Sequence, residues 1–258
     1  ELETLATSNN ISRDEAVAQL ARMYDGYYFN EDQQEGMFNP FSVLNTLSAS
    51  KFRNYWFASG TPTFLTEILK KTNFDLRELD GIQVPAISLS NDRASIDNPV
   101  PMIYQSGYLT IKAYDERFRM YTLGYPNEEV KYGFLHFVTP FYSCISTENT
   151  PFYIGLFVDE LEKCDVEGFL TRLRAFFADF PYELNDKTER HYQVVFYLVF
   201  KLMGQFIESE VRSARGRADA VVKTKDYIYV FEFKLDGSTE EALRQIDEKG
   251  YLIPYSSD

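Results

Sequence analysis

Residues 219–234 read DAVVKTKDYIYVFEFK and contain two apolar runs on either side of a short charged turn. The second run, 227–234, alternates aromatic and aliphatic side chains, which is typical of a β-strand. Strand side chains point alternately to opposite faces, so Glu232 and Lys234 share a face. The segment therefore predicts a β-hairpin whose second strand ends in one carboxylate and one amine.

The charged groups at this end of the hairpin predict a metal site. A strand as apolar as 227–234 is expected to be central, where burying unpaired Glu232 and Lys234 is costly. Asp219 lies on the neighbouring strand and can meet them at the same sheet end. Hard carboxylate oxygens suit Mg²⁺ or Mn²⁺ better than zinc. Such an ion can polarise a phosphoryl oxygen and activate a water molecule.

The flanking sequence predicts one helix before the hairpin region and one after it. The first helix opens at Asp186-Lys187-Thr188-Glu189 and runs to about Met203. A strand is expected over 206–212, another over 216–222, and the third is 227–234. The capping box Ser238-Thr239-Glu240-Glu241 starts the last helix, which Gly250 closes. The predicted order is helix, three strands, helix.

Asp219, followed thirteen positions later by Glu232-Phe233-Lys234, resembles the signature of the PD-(D/E)xK nuclease superfamily. The resemblance implies an αβββα core with a mixed sheet. It implies that Asp219 and Glu232 bind Mg²⁺ or Mn²⁺ with the Phe233 carbonyl, and that Lys234 positions the attacking water. Two further positions match polar residues found near the site in that superfamily: Glu189 and Gln245.

A wider resemblance covers most of the chain. Residues 216–255 resemble the nuclease-like domain at the C-terminus of bacterial AAA-ATPase-like proteins, and several earlier segments recur in the same order: 25–29, 38–44, 55–62 and 107–111. The resemblance implies an ATPase elsewhere in the polypeptide. The chain contains no GxxxxGK[ST] loop and begins with Glu1, so we expect a fragment without an ATP site.

These residues also have simpler interpretations. Glu232 and Lys234 can form a surface ion pair, and Asp219 can cap a turn. Glu189 is the fourth residue of a capping box, and Gln245 can be a solvated helix residue. A local basic cluster beside the proposed site either contacts phosphates or offsets neighbouring glutamates; it consists of Arg212, Arg215 and Arg217.

The N-terminal half predicts short helices and a hairpin. Ser12-Arg13-Asp14-Glu15 is a capping box, and Asn39-Pro40 starts a helix with an apolar stripe of Phe41, Val43, Leu44 and Leu47. A strand over 82–89 carries Pro85 at a sheet edge. Alternation over 108–112 and 118–122, followed by a helix over about 127–138, favours a winged-helix-like module. The predicted domains are a helical lid-like part over 1–94, the winged-helix-like module over 95–145 and the nuclease-like domain over 146–258.

Composition limits the class of protein. The 258 residues carry a net charge of −13, which argues against broad non-specific binding of nucleic acid. Two cysteines make a disulfide framework improbable and favour a cytoplasmic setting. No apolar stretch approaches the ~18 residues of a membrane span.

The sequence therefore predicts an α+β protein of several domains with a metal-dependent nuclease-like activity on nucleic acid, DNA being the favoured substrate. The main alternative is a non-catalytic module that binds nucleic acid or protein for an ATPase. A third possibility is a platform for homo-oligomers, because the sheet is expected to keep one uncovered edge.

Overall fold

The computed structural model describes residues 1–33, 35–58, 65, 68–69, 74–90, 98–143, 145–178, 189–211, 219–234 and 237–255. The chain divides into two compact units, residues 1–137 and 138–258. Both contain helices together with a three-stranded antiparallel sheet, which is a mixed α+β architecture. The prediction of three domains stays a prediction.

The first unit contains seven described helices, of which the last continues into the second unit, and three strands. The helices are α1 (Leu2–Ser8), α2 (Arg13–Tyr24), α3 (Pro40–Ala49), α4 (Tyr55–Ala58), α5 (Ala86–Ser90), α6 (Val100–Gln105) and α7 (Glu128–Ser143). The strands are β1 (Ile82–Pro85), β2 (Thr110–Asp115) and β3 (Met120–Gly124).

The predicted starts of α2 and α3 are confirmed, whereas the helix start predicted at 186–188 lies outside the described residues. The Ser12 hydroxyl accepts a hydrogen bond from the Glu15 backbone N–H, and the Glu15 carboxylate accepts one from the Ser12 N–H, which completes the capping box of α2. At α3, the Asn39 side chain accepts from two backbone N–H groups of the first turn. The chain leaves α2 through Gly26, whose φ of +101° favours glycine.

The predicted apolar stripe of α3 is wrong in its register. Phe41 and Leu44 are exposed, the latter by 66%, whereas Ser42 and Thr46 are fully buried. The buried face is polar because its hydroxyl groups form hydrogen bonds with buried polar side chains of other helices. The Ser42 hydroxyl donates to Glu129, and the Thr46 hydroxyl donates to the hydroxyl of buried Tyr24. Val43 and Leu47 do pack against the core of α1 and α2, as expected.

The first sheet has the order β1-β3-β2, with both pairs antiparallel. The predicted β2–β3 hairpin is confirmed. Each of its strands begins two residues later than the sequence pattern predicted. The strand expected over 82–89 ends at Pro85, on the edge strand, and the chain continues as α5. Strand β1 precedes the predicted domain boundary at residue 94, and β3 follows it. This sheet therefore contains strands from both the predicted lid-like part and the predicted winged-helix-like module.

The second unit contains helices α8 (Thr150–Glu162), α9 (Val166–Ala178), α10 (Glu189–Met203) and α11 (Thr239–Glu248). Its strands are β4 (Glu208–Val211), β5 (Ala220–Lys223) and β6 (Ile228–Phe231). From α10 onward, the described elements follow the predicted order of helix, three strands and helix. The α11 capping box of Ser238 and Glu241 is confirmed.

Two predictions about this sheet need correction. The described strands have the order β4-β5-β6, so β5 is central and β6 lies at the edge, contrary to expectation. Both described pairs are antiparallel, so the expected mixed sheet is not found among these strands. The reason is connectivity: each strand follows its neighbour after a short connection, whereas a parallel pair needs a crossover.

An aromatic cluster explains how β6 is covered although it lies at the edge. Phe231 contacts Phe169 of α9 and Phe200 of α10, with ring centroids 5.5 and 4.9 Å apart. Phe233 stacks on Phe196 of α10 at 3.7 Å. On the other face, Ile228 and Val230 join a small cluster with four other side chains of this unit: Val221, Ile246, Tyr251 and Tyr255. The strand is therefore sandwiched between helices, with its end positioned from both sides.

Within the described part of the chain, no helix combines the length and the apolar character needed to cross a membrane.

Glu129 provides a test of the polar core of the first unit. Its carboxylate is fully buried and accepts hydrogen bonds from the Ser42 hydroxyl and the Trp56 backbone N–H, at 2.7 and 2.9 Å. Burial raises the pKa of Glu129 above 4.5, although these hydrogen bonds lower it in part. The folded state therefore holds this proton at a higher pH than the unfolded chain does. This contribution to stability is complete below about pH 4.5 and is lost as the pH rises through the raised pKa.

We expect Glu129→Ala to lower the free energy of unfolding by about 2 kcal/mol or more, because it leaves buried donors without an acceptor. Glu129→Gln keeps an acceptor and removes the titration, so its stability relative to wild type should improve as the pH rises from 5 to 8. Urea unfolding followed by the fluorescence of Trp56, the one tryptophan, measures both effects. A constant difference between Glu129→Gln and wild type across this range would contradict the assignment.

Candidate metal and catalytic site

The register of β5 and β6 brings the predicted acidic residues to one end of the second sheet. Ala220 pairs with Phe231. Asp219 and Glu232 are the residues next to this pair, at the end of the hairpin away from its turn. The connection between the strands, 224–227, is closed by hydrogen bonds between Thr224 and Tyr227. The hairpin therefore holds the two acidic positions side by side although they are thirteen positions apart in the sequence.

Asp219 is oriented by the backbone of the opposite strand of the hairpin. Its Oδ2 atom accepts a hydrogen bond of 2.8 Å from the backbone N–H of Phe233, immediately after Glu232. Ala220 and Phe231 form the last strand pair among the described residues, and beyond it the carboxylate provides the acceptor for the Phe233 N–H. Asp219 is thereby held against the segment that carries Glu232 and Lys234.

The Glu232 carboxylate has two very different oxygen atoms. The side chain is only 4% exposed, and its Oε1 accepts hydrogen bonds from Lys234 Nζ at 2.9 Å and from Gln245 Nε2. Its Oε2 is buried and has no hydrogen-bond partner among the described residues. Leaving a carboxylate oxygen buried without a partner is costly. Oε2 is therefore a candidate atom for binding a metal ion.

Gln245 links helix α11 to the end of β6. Its Oε1 accepts from Lys234 Nζ at 2.6 Å, while its Nε2 donates to Glu232 and, at 3.3 Å, to the Tyr251 hydroxyl. The capping box at Ser238 fixes where α11 begins and so places Gln245 in its second turn. Glu232, Lys234 and Gln245 therefore form a closed triangle of hydrogen bonds.

Lys234 lies in the field of both acidic residues. The hydrogen bond to Glu232 raises the pKa of Lys234 above 10.5, burial opposes this, and the charges of Glu232 and Asp219 add to the rise. Its side chain keeps 32% of its surface exposed. The ammonium group is therefore charged at neutral pH and still reachable from solvent.

The donor set fits a hard divalent cation. Asp219 and Glu232 offer carboxylate oxygens, which are ligands that Mg²⁺ prefers. The buried, unpartnered Oε2 of Glu232 is the observation that supports the fit. Among the described residues, no group of three or more His, Cys, Asp or Glu side chains is close enough to hold a metal. Two carboxylates alone match the Mg²⁺ habit of keeping several water ligands.

The remaining predicted site residues cannot all be placed. Glu189 is the first residue of α10, and its side chain lies outside what the structure describes. The basic cluster of Arg212, Arg215 and Arg217 falls in 212–218, also outside the described residues. Their roles stay predictions. The structure brings together Asp219, Glu232, Lys234 and Gln245.

Tyr251 belongs to this site and was missed by the sequence analysis. It is buried and contacts Gln245 through its hydroxyl. It follows Gly250, which has a φ of +62° and turns the chain back after α11. The sequence indicates that turn but not the direction in which the next residue points, so no signal identifies Tyr251.

Comparisons with known proteins agree with this geometry. Residues 187–258 match the family model described as PD-(D/E)XK nuclease superfamily. The matched range contains all four residues that the structure brings together. The C-terminal part of the chain thus carries a PD-(D/E)XK nuclease superfamily domain.

One curated protein matches the chain over nearly its whole length. It is the "Uncharacterized protein in vnfD 5'region" of Azotobacter chroococcum mcd 1, which is 31% identical over 254 residues. The alignment covers 95% of this chain and 48% of the relative, so the chain spans about half of the relative's length. No solved structure matches the chain significantly.

Substitutions of Asp219 separate its structural role from its role as a metal ligand. Asp219→Ala removes the acceptor of the Phe233 N–H and should lower the free energy of unfolding by about 1–2 kcal/mol. Asp219→Asn keeps a carbonyl oxygen at that position and should cost less. Both should lose Mn²⁺ binding in calorimetry, because a neutral side chain is a much weaker ligand. Unchanged Mn²⁺ binding in Asp219→Asn would rule out Asp219 as a ligand.

Proposed function

We propose that the C-terminal domain is a phosphodiesterase that depends on Mg²⁺ or Mn²⁺ and cleaves nucleic acid, with DNA as its substrate. One observation carries the proposal. The Glu232 carboxylate is buried at the sheet end that also carries Asp219, with Oε1 held by Lys234 and Gln245 and Oε2 without a partner among the described residues. Glu160 also has a buried Oε2 without a described partner, so the neighbouring Asp219 is what distinguishes Glu232 as a candidate metal ligand.

Asp219 and Glu232 would hold the cation, with the Phe233 carbonyl as a further ligand. When bound, the cation polarises a phosphoryl oxygen and lowers the pKa of a water molecule. The protein supplies rigidity: the Phe233 N–H fixes the Asp219 carboxylate, and the Gln245 amide fixes that of Glu232. Fixed ligands need little reorganisation during the reaction.

Lys234 would hold the attacking water and offset negative charge on the phosphate. Its ammonium group is anchored by Glu232 Oε1 and Gln245 Oε1, yet a third of its side-chain surface is exposed. An ammonium has three donors, so two anchors leave one for a water or a phosphate oxygen. Gln245 acts through Lys234 and Glu232, which makes it a positioning residue.

Other parts of the proposal rest on the sequence. Glu189 would help to bind the cation or orient the water, and Arg212, Arg215 and Arg217 would contact phosphates of the nucleic acid. Coupling to an ATPase in the same polypeptide would let the domain act on remodelled nucleic acid.

A non-catalytic binding module is the second candidate, and the net charge of −13 favours it. Such a module would recognise nucleic acid or a partner protein without cutting. Metal binding separates the candidates, because a binding module has no need for a cation between Asp219 and Glu232.

We expect the protein to cleave plasmid DNA in the presence of Mn²⁺, and Lys234→Ala to reduce the rate by roughly 10²–10³-fold, as for the loss of one preorganised charged donor. Lys225→Ala is the matched control, because Lys225 is an exposed lysine in the turn at the other end of the same hairpin. It should cleave like wild type. Equal cleavage by wild type and Lys234→Ala would contradict the proposed role of Lys234 in holding the attacking water. A wild-type protein that neither cleaves DNA nor binds Mn²⁺ would contradict the nuclease proposal itself.

A further inference from the structure

A cavity of about 440 Å³ lies beside the proposed catalytic residues, within the second unit. It is bounded by helices α9 and α10, by residues 232–234 and 237–238, and by the first turn of α11. This volume is in the range of small-molecule pockets, roughly 300–1,000 Å³. Six of the lining side chains matter for its chemistry: Arg174, Phe177, Tyr192, Phe196, Phe233 and Lys234.

One wall of the cavity is a continuous set of aromatic rings. Phe196 stacks on Phe233 with centroids 3.7 Å apart and contacts Phe177 at 4.7 Å. Tyr192 lies one turn before Phe196 on α10 and contacts Phe177 at 5.6 Å. All four are half-buried, so each ring keeps accessible surface. Rings that support one another in this way offer a rigid surface on which a planar base can stack.

Arg174 adds a positive charge to the rim. It lies three residues before Phe177 on α9, so both project on the same side of that helix. Its side chain is exposed, and no carboxylate within the described part of the chain forms an ion pair with it. Its neighbour Arg172 behaves differently, since it is bound to Glu160 at 2.6 Å. Arg174 is thus an available cation in a protein with a strong excess of acidic residues.

The cavity and the proposed catalytic residues are continuous. Glu232 and Lys234 both line the cavity, so a molecule bound there lies beside these two proposed catalytic residues. An aromatic wall favours a base, and the cation at the rim favours a phosphate. A base inside a duplex is covered on both faces by its neighbours, so only an unpaired base can lie against such a wall.

We propose that this cavity receives one unpaired nucleotide of a DNA strand, with its base on the wall of Phe177, Tyr192 and Phe196 and an adjacent phosphate on Arg174. This inference rests on the proposed nuclease function. It defines the substrate class as DNA with a single-stranded end or segment, and it makes Arg174 and Tyr192 binding residues of the site.

Binding without metal tests the pocket separately from cleavage. Fluorescence polarisation in EDTA with a labelled 15-nucleotide single strand should show binding by the 258-residue protein, and the blunt duplex of the same sequence should bind more weakly. Arg174→Gln should weaken single-strand binding and reduce the slope of log K against log salt by about 0.7, the value for one phosphate contact. Arg244→Gln removes an arginine that lies outside the cavity and should leave both quantities unchanged.

The aromatic wall has its own matched pair of variants. Tyr192→Leu should weaken single-strand binding on the order of tenfold, the effect of losing one stacked base, whereas Tyr192→Phe should bind like wild type. Thermal melting of both variants establishes that each is folded.

The outcomes separate this inference from the proposed function. Equal affinity for blunt duplex and single strand, or Arg174→Gln binding like wild type, would overturn the pocket even if Lys234→Ala abolishes cleavage. Conversely, single-strand binding that requires Arg174 and Tyr192 would support the pocket even if the wild-type protein cuts no DNA, and the failure would then lie with catalysis alone.

Discussion

The hydrogen bonds around Glu232 are the interaction on which the rest of this account depends. Removing a carboxylate from water costs several kcal/mol unless its charge is compensated. The protein compensates one oxygen with the ammonium of Lys234 and the amide of Gln245 and leaves the other without a described partner. This division fixes the orientation of the carboxylate and leaves one ligand position available. The remaining features of the site serve to keep Glu232 where it is.

The surrounding fold explains why such an arrangement is stable. The phenylalanines on one face of β6 pack against α9 and α10, and the aliphatic residues on its other face pack with Tyr251 and Ile246. The end of this edge strand is thus packed on both of its faces. The polar groups at that end meet the cavity wall of α10 on one side and the amide of α11 on the other.

Much of this site could be predicted from the sequence because it rests on local rules. The alternation of 227–234 placed Glu232 on the face of Ile228, and the capping box of Ser238 placed α11. The position of β6 at the edge could not be predicted, because aromatic residues look equally suited to a central strand and to an edge covered by helices. The burial of Ser42 and Thr46 in the first unit could not be predicted either. Their burial depends on Glu129 and Tyr24, which are distant in sequence, so helical periodicity favoured Phe41 and Leu44 instead.

The central claim is that Glu232 Oε2, which has no described partner, and the Asp219 carboxylate share one cation. A crystal structure of the protein soaked in Mn²⁺, with data collected at the manganese absorption edge, tests it most directly. The account predicts an anomalous peak within ~2.0–2.3 Å of both carboxylates, with Lys234 still bonded to the other oxygen of Glu232. A map without that peak, in which Glu232 Oε2 instead bonds to a protein donor, would contradict it.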